Sequence, residues 1–397
     1  MSKKIVIAGS CRTPIGKAGA TRGNLSAFSS AQLLSACFSE SLKRSGLLSY
    51  ALSQVIAGNV AQSSDSPNIA RVSSLKAGIA NDVPAFTVQR NCGSGLQAVV
   101  SACQMIKAEE AEVVLAGGTE SMSNIPFTLK DARFGCGIKH KQLTDALWEG
   151  LTDPVTGELM GKTAENVAVL YGISREDQDE FAFQSHQKAF KASRGGKFRS
   201  QIVSLVSGNK TILQDDGINP ALTIQMLSLI PQELFFVKGG TVHAGNSCGI
   251  SDGAASLIVL TEESALAQKI KPEAEIIGYA FVGCSPSYMG MGPYFAINAA
   301  LLHAGLNDND IDYFEINEAF AAQVLACRRQ LGIPSEKLNV WGGAIALGHP
   351  VGATGAILIT KMIALLKDTG KKLGVVSMCI GGGQGGAIII KNYEGGE

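Results

Sequence analysis

The feature that most constrains this chain is a strand-and-helix rhythm that runs twice. In the first series, strand-like Ile5-Val6-Ile7-Ala8 leads through Arg12-Thr13-Pro14-Ile15-Gly16 to a helix. That helix carries Leu33, Leu34, Cys37, Phe38 and Leu42 on one side and stops near Gly46. Residues 55–59 read as a short strand and 69–79 as a second helix. Leu96, Val99, Val100 and Cys103 mark a third, and 112–116 an apolar strand ending in Gly117-Gly118. After Asp252-Gly253 the rhythm returns with strands at 256–260, 275–277, 313–316 and 374–378, and with helices at 294–304, through Leu325 and up to Leu366. Such alternation predicts an α/β fold, its sheet covered on both faces. Asn59 and Asn317 each end a short strand, and Cys92 and His349 each open a glycine-flanked helix at nearly the same offset, which predicts an internal duplication. Helices packed about a pseudo-twofold axis would bring Cys92 and His349 face to face.

Between the two series the texture changes. Apolar runs shorten, charge rises, and a helix opening at Ser174 alternates with irregular stretches and the small basic knot at 139–141. The expected division is a first half over 1–120, completed by 249–270; an inserted loop domain over 121–248; and a second half over 271–397.

With 397 residues, 46% hydrophobic, and 46 glycines there is ample material for a large core joined by tight turns. Net formal charge is zero and no basic cluster is interleaved with aromatics, which argues against nucleic acid as a partner. The opening apolar stretch is too short for a signal peptide and no run reaches the length of a membrane span, so a soluble cytoplasmic protein is expected, with no membrane partner. Nine scattered cysteines with no Cys-x-x-Cys pair indicate neither a disulfide framework nor a zinc site, and no metal is expected.

Four stretches carry the candidate chemistry. In Gln89-Arg90-Asn91-Cys92-Gly93-Ser94-Gly95, Asn91 suits an N-cap and would set Cys92 at a helix N-terminus. There the macrodipole can lower a thiol pKa from about 8.5 towards neutrality. A free cysteine is also a good core residue, and the pattern leaves both readings open. In Gly348-His349-Pro350, Pro350 suits the first helical position and leaves the imidazole free to take a proton from a thiol. Cys379 ends an apolar strand before Ile380-Gly381-Gly382-Gly383, whose amides can cradle an oxyanion. Asn317 can orient a water or donate to a carbonyl, or act as an ordinary N-cap. Glu318 is either catalytic or a complement to the helix terminus.

These blocks, Cys92-Gly93-Ser94-Gly95, Asn317-Glu318-Ala319-Phe320, Gly348-His349-Pro350-Val351-Gly352 and Cys379-Ile380-Gly381-Gly382-Gly383, resemble the four signatures of the thiolases. The match runs nearly end to end and includes Met160-Gly161-Lys162-Thr163-Ala164-Glu165-Asn166 and Ala244-Gly245-Asn246. The resemblance implies two βαβαβαββ halves in a five-layered α-β-α-β-α body with an inserted loop domain, assembled as a homodimer or homotetramer. It implies that Cys92 carries the acyl group, His349 activates it, and Cys379 exchanges a proton with the acetyl methyl. Asn317, through a water, and His349 would form one oxyanion hole, and the amides of Cys92 and Gly381 the other. Contacts to the acyl chain and coenzyme A fall to Leu159, Met160, Ala244, Cys248, Met289, Ala319 and Phe320, with Met291 a further tunnel candidate.

Three places depart from the family pattern. Cys248 stands where a serine is usual and His243 where threonine is common; Leu159 stands where many members carry histidine; and 215–220 lacks an arginine often found there. The expected reaction is the reversible condensation of two acetyl-CoA to acetoacetyl-CoA and CoA, with coenzyme A thioesters as substrates and no separate cofactor. The alternatives are a degradative 3-ketoacyl-CoA thiolase acting on longer chains, a ketoacyl-synthase-type condensing enzyme, which Cys379 and the asparagine block oppose, and a non-catalytic acyl-CoA-binding protein on the same scaffold.

Overall fold

The strand that opens the chain outlasts its apolar run, because both of its faces are covered. β1 (Ile5–Arg12) is buried throughout; Ile5 and Ile7 join one core cluster, and Val6, Ala8 and Cys11 another. The computed structural model describes residues 3–19, 22–135, 137–138, 140–231 and 239–393. Cys136 and Lys139 of the basic knot lie outside the described residues.

The first series continues with α1 (Ser30–Ser45), β2 (Gln54–Gly58), α2 (Ile69–Lys76), β3 (Ala85–Val88), α3 (Ser94–Lys107) and β4 (Val113–Ser121). α1 begins in a capping box between Ser29 and Gln32, and it ends where the sequence predicts, at Gly46, which takes the left-handed conformation. β4 runs on through Gly117 and Gly118 instead of ending there. A Cβ on either glycine would overlap neighbouring backbone, at Ala255 and Gly352 respectively, so these glycines serve close approach rather than a turn.

Two helices of the intervening region bear on the site: α4 (Met160–Tyr171) and α5 (Arg175–Arg194), the latter capped by Ser174 accepting from the Asp177 amide. The Asp215-Asp216 segment turns inward. Asp215 takes a two-pronged bond from buried Arg12 at 2.7 and 3.0 Å and a third from the Ile15 amide at 2.8 Å. Asp216 accepts from the amides of Lys17 and Asn24.

The second series comprises β5 (Ser251–Thr261), β6 (Ala274–Gly283), α6 (Gly292–Ala304), β7 (Tyr313–Ile316), α7 (Ala321–Leu331), α8 (Thr354–Thr369), β8 (Leu373–Ile380) and β9 (Gln384–Asn392). β5 starts five residues before the predicted 256 and pairs antiparallel with both β1 and β4. The strands follow one hydrogen-bonded path, β7-β8-β9-β6-β1-β5-β4-β2-β3, with the two-residue strand Gly16–Lys17 paired to β5. In the sheet the halves meet at β1 and β6, where Val6 pairs with Glu275 and Ile7 with Ala274.

The layers follow from which face each helix covers. α1 and α2 pack on one outer side with Val6, Ala8 and Leu115. α3 and α8 share the central cluster with Ile7, Val114, Val376 and Ile388. α6 and α7 close the far side over Val375, Ala387 and Ile389. This is the expected five-layered body. In the second half the counterpart of β3 is reduced to a single bridge between Phe314 and Leu338. Among the described residues no helix is long and apolar enough to cross a membrane.

Candidate active site

Cys92 lies in a tight turn between β3 and α3. Asn91 has φ of 42°, in the left-handed region, and does not cap the helix. α3 begins at Ser94, with Gly93 at the cap position and no side-chain cap. The turn is closed by Ser94, whose Oγ accepts from the Arg90 amide at 2.8 Å and donates to the Asn91 carbonyl at 2.6 Å. The Asn91 amide group reaches across to the Gly381 carbonyl at 2.9 Å and ties this turn to the last glycine loop. Cys92 is half-buried. Burial pushes its thiol above the ordinary value, the amides of Gly381 and of Cys92 itself draw it down, and the charge of Glu120 adds to the rise. The expected fall towards neutrality is therefore corrected: in the free site desolvation outweighs the helix terminus.

His349 lies five residues before α8, so Pro350 does not open that helix as the sequence suggested. The turn is fixed by other means. The His349 amide donates to Ser251 Oγ at 3.1 Å. Thr354 donates its single hydroxyl proton to the Pro350 carbonyl at 2.9 Å, and its oxygen lies 2.6 Å from His349 Nδ1. Nδ1 must then carry the ring proton, which assigns Nε2 as the free lone pair. Asn317 Nδ2 lies 3.4 Å from that Nε2. Burial lowers the His349 pKa to about 4, so the ring is neutral near pH 7.

Asn317 follows β7 and is held by its own amide donating to the Ser377 carbonyl at 2.9 Å. It is not the cap of α7, a position taken by Phe320. Its buried Oδ1 has no partner among the described residues, as expected of an oxygen that accepts from a water or a substrate. Glu318 is buried, and it accepts from Ser185 Oγ at 2.6 Å, Asn339 Nδ2 at 2.8 Å and the Ile345 amide at 3.2 Å. It is a strut that holds the loop before His349 to β7.

Cys379 is buried at the end of β8, before a turn in which Gly382 and Gly383 have φ of 84° and 80°. Burial holds its thiol well above the ordinary range, and charge on Cys92, Cys327 or Cys248 would raise it further. Cys248 is likewise pushed up to about 12 by burial and by Cys92. The thiols of 92, 248 and 379 thus sense one another.

The residues expected to line the acyl path divide into two sets. Met160, Cys248, Met289, Met291, Ala319 and Phe320 share a hydrophobic cluster with Cys379. The Cys248 amide donates to the Ala319 carbonyl at 2.9 Å, Ser247 bridges to Phe320, and Met160 Sδ lies over Gly381. Leu159, at the cap of α4, is partly exposed, and Ala244, in the turn Ala244–Asn246, is exposed; neither joins that cluster. His243 is buried, its Nε2 2.7 Å from Asp179 and its Nδ1 accepting from the Gly245 amide at 3.0 Å.

Sequence reasoning missed Thr354, Ser251, Gln323 and Glu120. Glu120 is buried and accepts from Asn59 Nδ2, the amides of Val60 and Ala61, and the Gly352 amide, all between 2.9 and 3.1 Å. Burial raises its pKa to about 7 against the pull of these four donors. One signal was available. Gly58 pairs with Gly118 and Ile316 with Ser377, so Asn59 matches Asn317 and Glu120 matches Cys379. The first half keeps a strut where the second places a thiol. The other three act through contacts that no local spacing reveals.

Two family models cover the chain, Thiolase, N-terminal domain over residues 5–263 and Thiolase, C-terminal domain over 270–392. The chain belongs to the thiolase family. This thiolase is 43% identical to the acetyl-CoA acetyltransferase of Syntrophomonas wolfei, over 98% of the chain and 100% of that protein. It is also 43% identical to a probable acetyl-CoA acyltransferase of Staphylococcus epidermidis, over 98% and 99%. Its fold matches the crystal structure of the Bacillus anthracis acetyl-CoA acetyltransferase with a TM-score of 0.95, 39% identity and 99% coverage of both chains. It matches human mitochondrial 3-ketoacyl-CoA thiolase in complex with CoA equally well, with a TM-score of 0.95, 41% identity and 98% coverage of both. It is thus an acyltransferase of thiolase type.

Proposed function

We propose that this thiolase is an acetyl-CoA C-acetyltransferase that condenses two acetyl-CoA to acetoacetyl-CoA and CoA, reversibly, through an acetyl-cysteine at Cys92. The observation that carries the reading is the neutral His349, its Nε2 lone pair beside Asn317 and its Nδ1 pinned by Thr354. A base in that state takes the proton of Cys92 as the sulfur attacks the thioester carbonyl, and returns it to the departing CoA thiolate. The amides of Cys92 and Gly381, which donate towards the Cys92 sulfur, are suited to hold the oxyanion of that tetrahedral adduct.

In the second half-reaction Cys379 passes its proton to His349 Nε2, and the resulting thiolate removes a methyl proton from a second acetyl-CoA. Asn317, through a water, and the Nε2–H that His349 has gained hold the enolate oxygen, and the carbanion attacks acetyl-Cys92. The Cys92 thiolate leaves and takes its proton from His349, while Cys379 keeps the proton of the methyl. A buried thiol that resists ionisation gives, once deprotonated, a strongly basic thiolate, which a weakly acidic methyl requires. Residues 121–248 serve as the domain that contacts CoA, with Leu159 and Ala244 at the outer part of the path and Met160, Cys248, Met289, Ala319 and Phe320 nearer the sulfurs. The exposed side chains of Phe127, Phe134, Leu143 and Trp148 support assembly into a homodimer or homotetramer; the proposed setting is the cytoplasm.

The test is thiolysis of acetoacetyl-CoA against 3-ketooctanoyl-CoA, with labelled acetyl-CoA used to trap acetyl on the Cys92 peptide. Preference for acetoacetyl-CoA is expected. A strong preference for the longer substrate would make the chain a degradative 3-ketoacyl-CoA thiolase, and CoA binding without acetylation would make it a binding protein.

A further inference from the structure

The buried amide of Gln323 touches the sulfur that does the carbon acid chemistry. Gln323 lies in the first turn of α7 and is inaccessible to solvent. Its amide satisfies its surroundings in one orientation: nitrogen towards the Asn317 carbonyl at 3.0 Å, oxygen accepting from the Val324 amide at 2.8 Å. In that orientation the group 3.3 Å from Cys379 Sγ is the NH2, not the carbonyl. An amide nitrogen has two protons. One goes to the Asn317 main chain, and the other is free for the sulfur.

We propose that Gln323 is a positioning residue that steadies the Cys379 thiolate by donating an N–H to its sulfur while fixing the main chain of Asn317. The proposal rests on the role given to Cys379 above. The titratable groups that face Cys379 are Cys92 from the turn before α3, Cys248 from the loop before β5, and Cys327 from α7; all three would oppose a negative sulfur, as does burial. The N–H of Gln323 acts in the other direction. When the thiolate takes the methyl proton the bond weakens, and it strengthens again when Cys379 gives up its proton in the next cycle. One side chain therefore links both ends of the enolate site: the base, and the backbone that carries the asparagine.

The experiment measures the pH profile of Cys379 alkylation by iodoacetamide, read on the peptide by mass spectrometry, in a Cys92→Ser background that keeps residue 92 from blocking the pocket. Gln323→Met keeps the length and removes the donor; Gln323→Glu keeps the shape and offers only acceptors when ionised. Both should move the profile to higher pH and slow alkylation at pH 8 about tenfold or more, the expected loss of a hydrogen bond to a charged group. With Cys92 restored, both should still be acetylated by acetyl-CoA but lose condensation. An unchanged profile in either folded variant would overturn the proposal. Loss of Cys92 acetylation together with Cys379 reactivity would also overturn it, by giving Gln323 a general structural role. Failure of the unsubstituted chain to acetylate Cys92 would instead count against the proposed function and is read separately.

Discussion

At the scale of single residues, the site is built by second partners rather than by the motif residues alone. The His349 ring is useful as a base only in the tautomer that leaves Nε2 bare, and that choice is made by the Thr354 oxygen, whose proton is committed to the Pro350 carbonyl. Thr354→Val removes the acceptor and keeps the shape. Steady-state thiolysis should show turnover reduced about 10²-fold, the scale of one misdirected general base, whereas Thr354→Ser should retain most activity. Equal losses in the two variants would show that packing, not the tautomer, is what residue 354 supplies. The sequence identified the reactive groups at this scale and misjudged one of their states. It expected a helix terminus to lower the Cys92 pKa, but the helix starts two residues later and burial dominates.

At the scale of elements, the meeting of α3 with α8 decides whether Cys92 and His349 belong to one site. Both helices begin in glycine-rich turns because their first turns touch backbone to backbone. A Cβ on Gly355 would collide with the Leu96 main chain, and one on Gly95 would press on Gly352 and Ala353. Gly355→Ala should therefore push α8 off α3, cost about 1–3 kcal/mol in denaturant unfolding and lower activity together with stability. A fully stable, inactive variant would contradict this coupling. Farther along, buried Lys361 of α8 reaches Glu315 of β7 at 2.9 Å and the Gly342 carbonyl, so helix, strand and the loop leading to His349 are one unit. Helix and strand identities were legible from apolar spacing. The starts of α3 and α8 were not, because the glycine turns that look like caps there are close-approach points between layers, whereas the starts at Ile69 and after Ser174 were.

At the scale of the whole molecule, two neutral histidines bear on stability. His349 and His186 are both lowered to about 4, chiefly by burial, against an ordinary value near 6.5. Between those limits the unfolded chain binds more protons than the native one. Stability is then fully present above about pH 6.5 and is lost as pH falls towards 4, by on the order of 2–3 kcal/mol for each ring. Denaturation midpoints measured across pH 4–7 should fall steeply towards acid, and His349→Asn should flatten part of that slope. The same slope in the variant would mean that other groups govern the acid limb.

What the sequence determined by itself was the plan: twice-repeated strand and helix spacing, a region of different texture between the repeats, and reactive residues set in glycine-rich turns. Apolar periodicity and turn chemistry are local, so one chain in order suffices to express them. The tertiary structure alone decided how those turns are joined. Asn91 holds the Gly381 loop, Glu120 holds Gly352, Thr354 selects the His349 proton and Gln323 faces Cys379. Asn91 and Gly381, like Glu120 and Gly352, lie in different halves of the chain, and their hydrogen bonds exist only after the two halves of the sheet have closed on a shared helical layer. Protonation states follow the same rule, because desolvation depends on what covers a group and not on what precedes it.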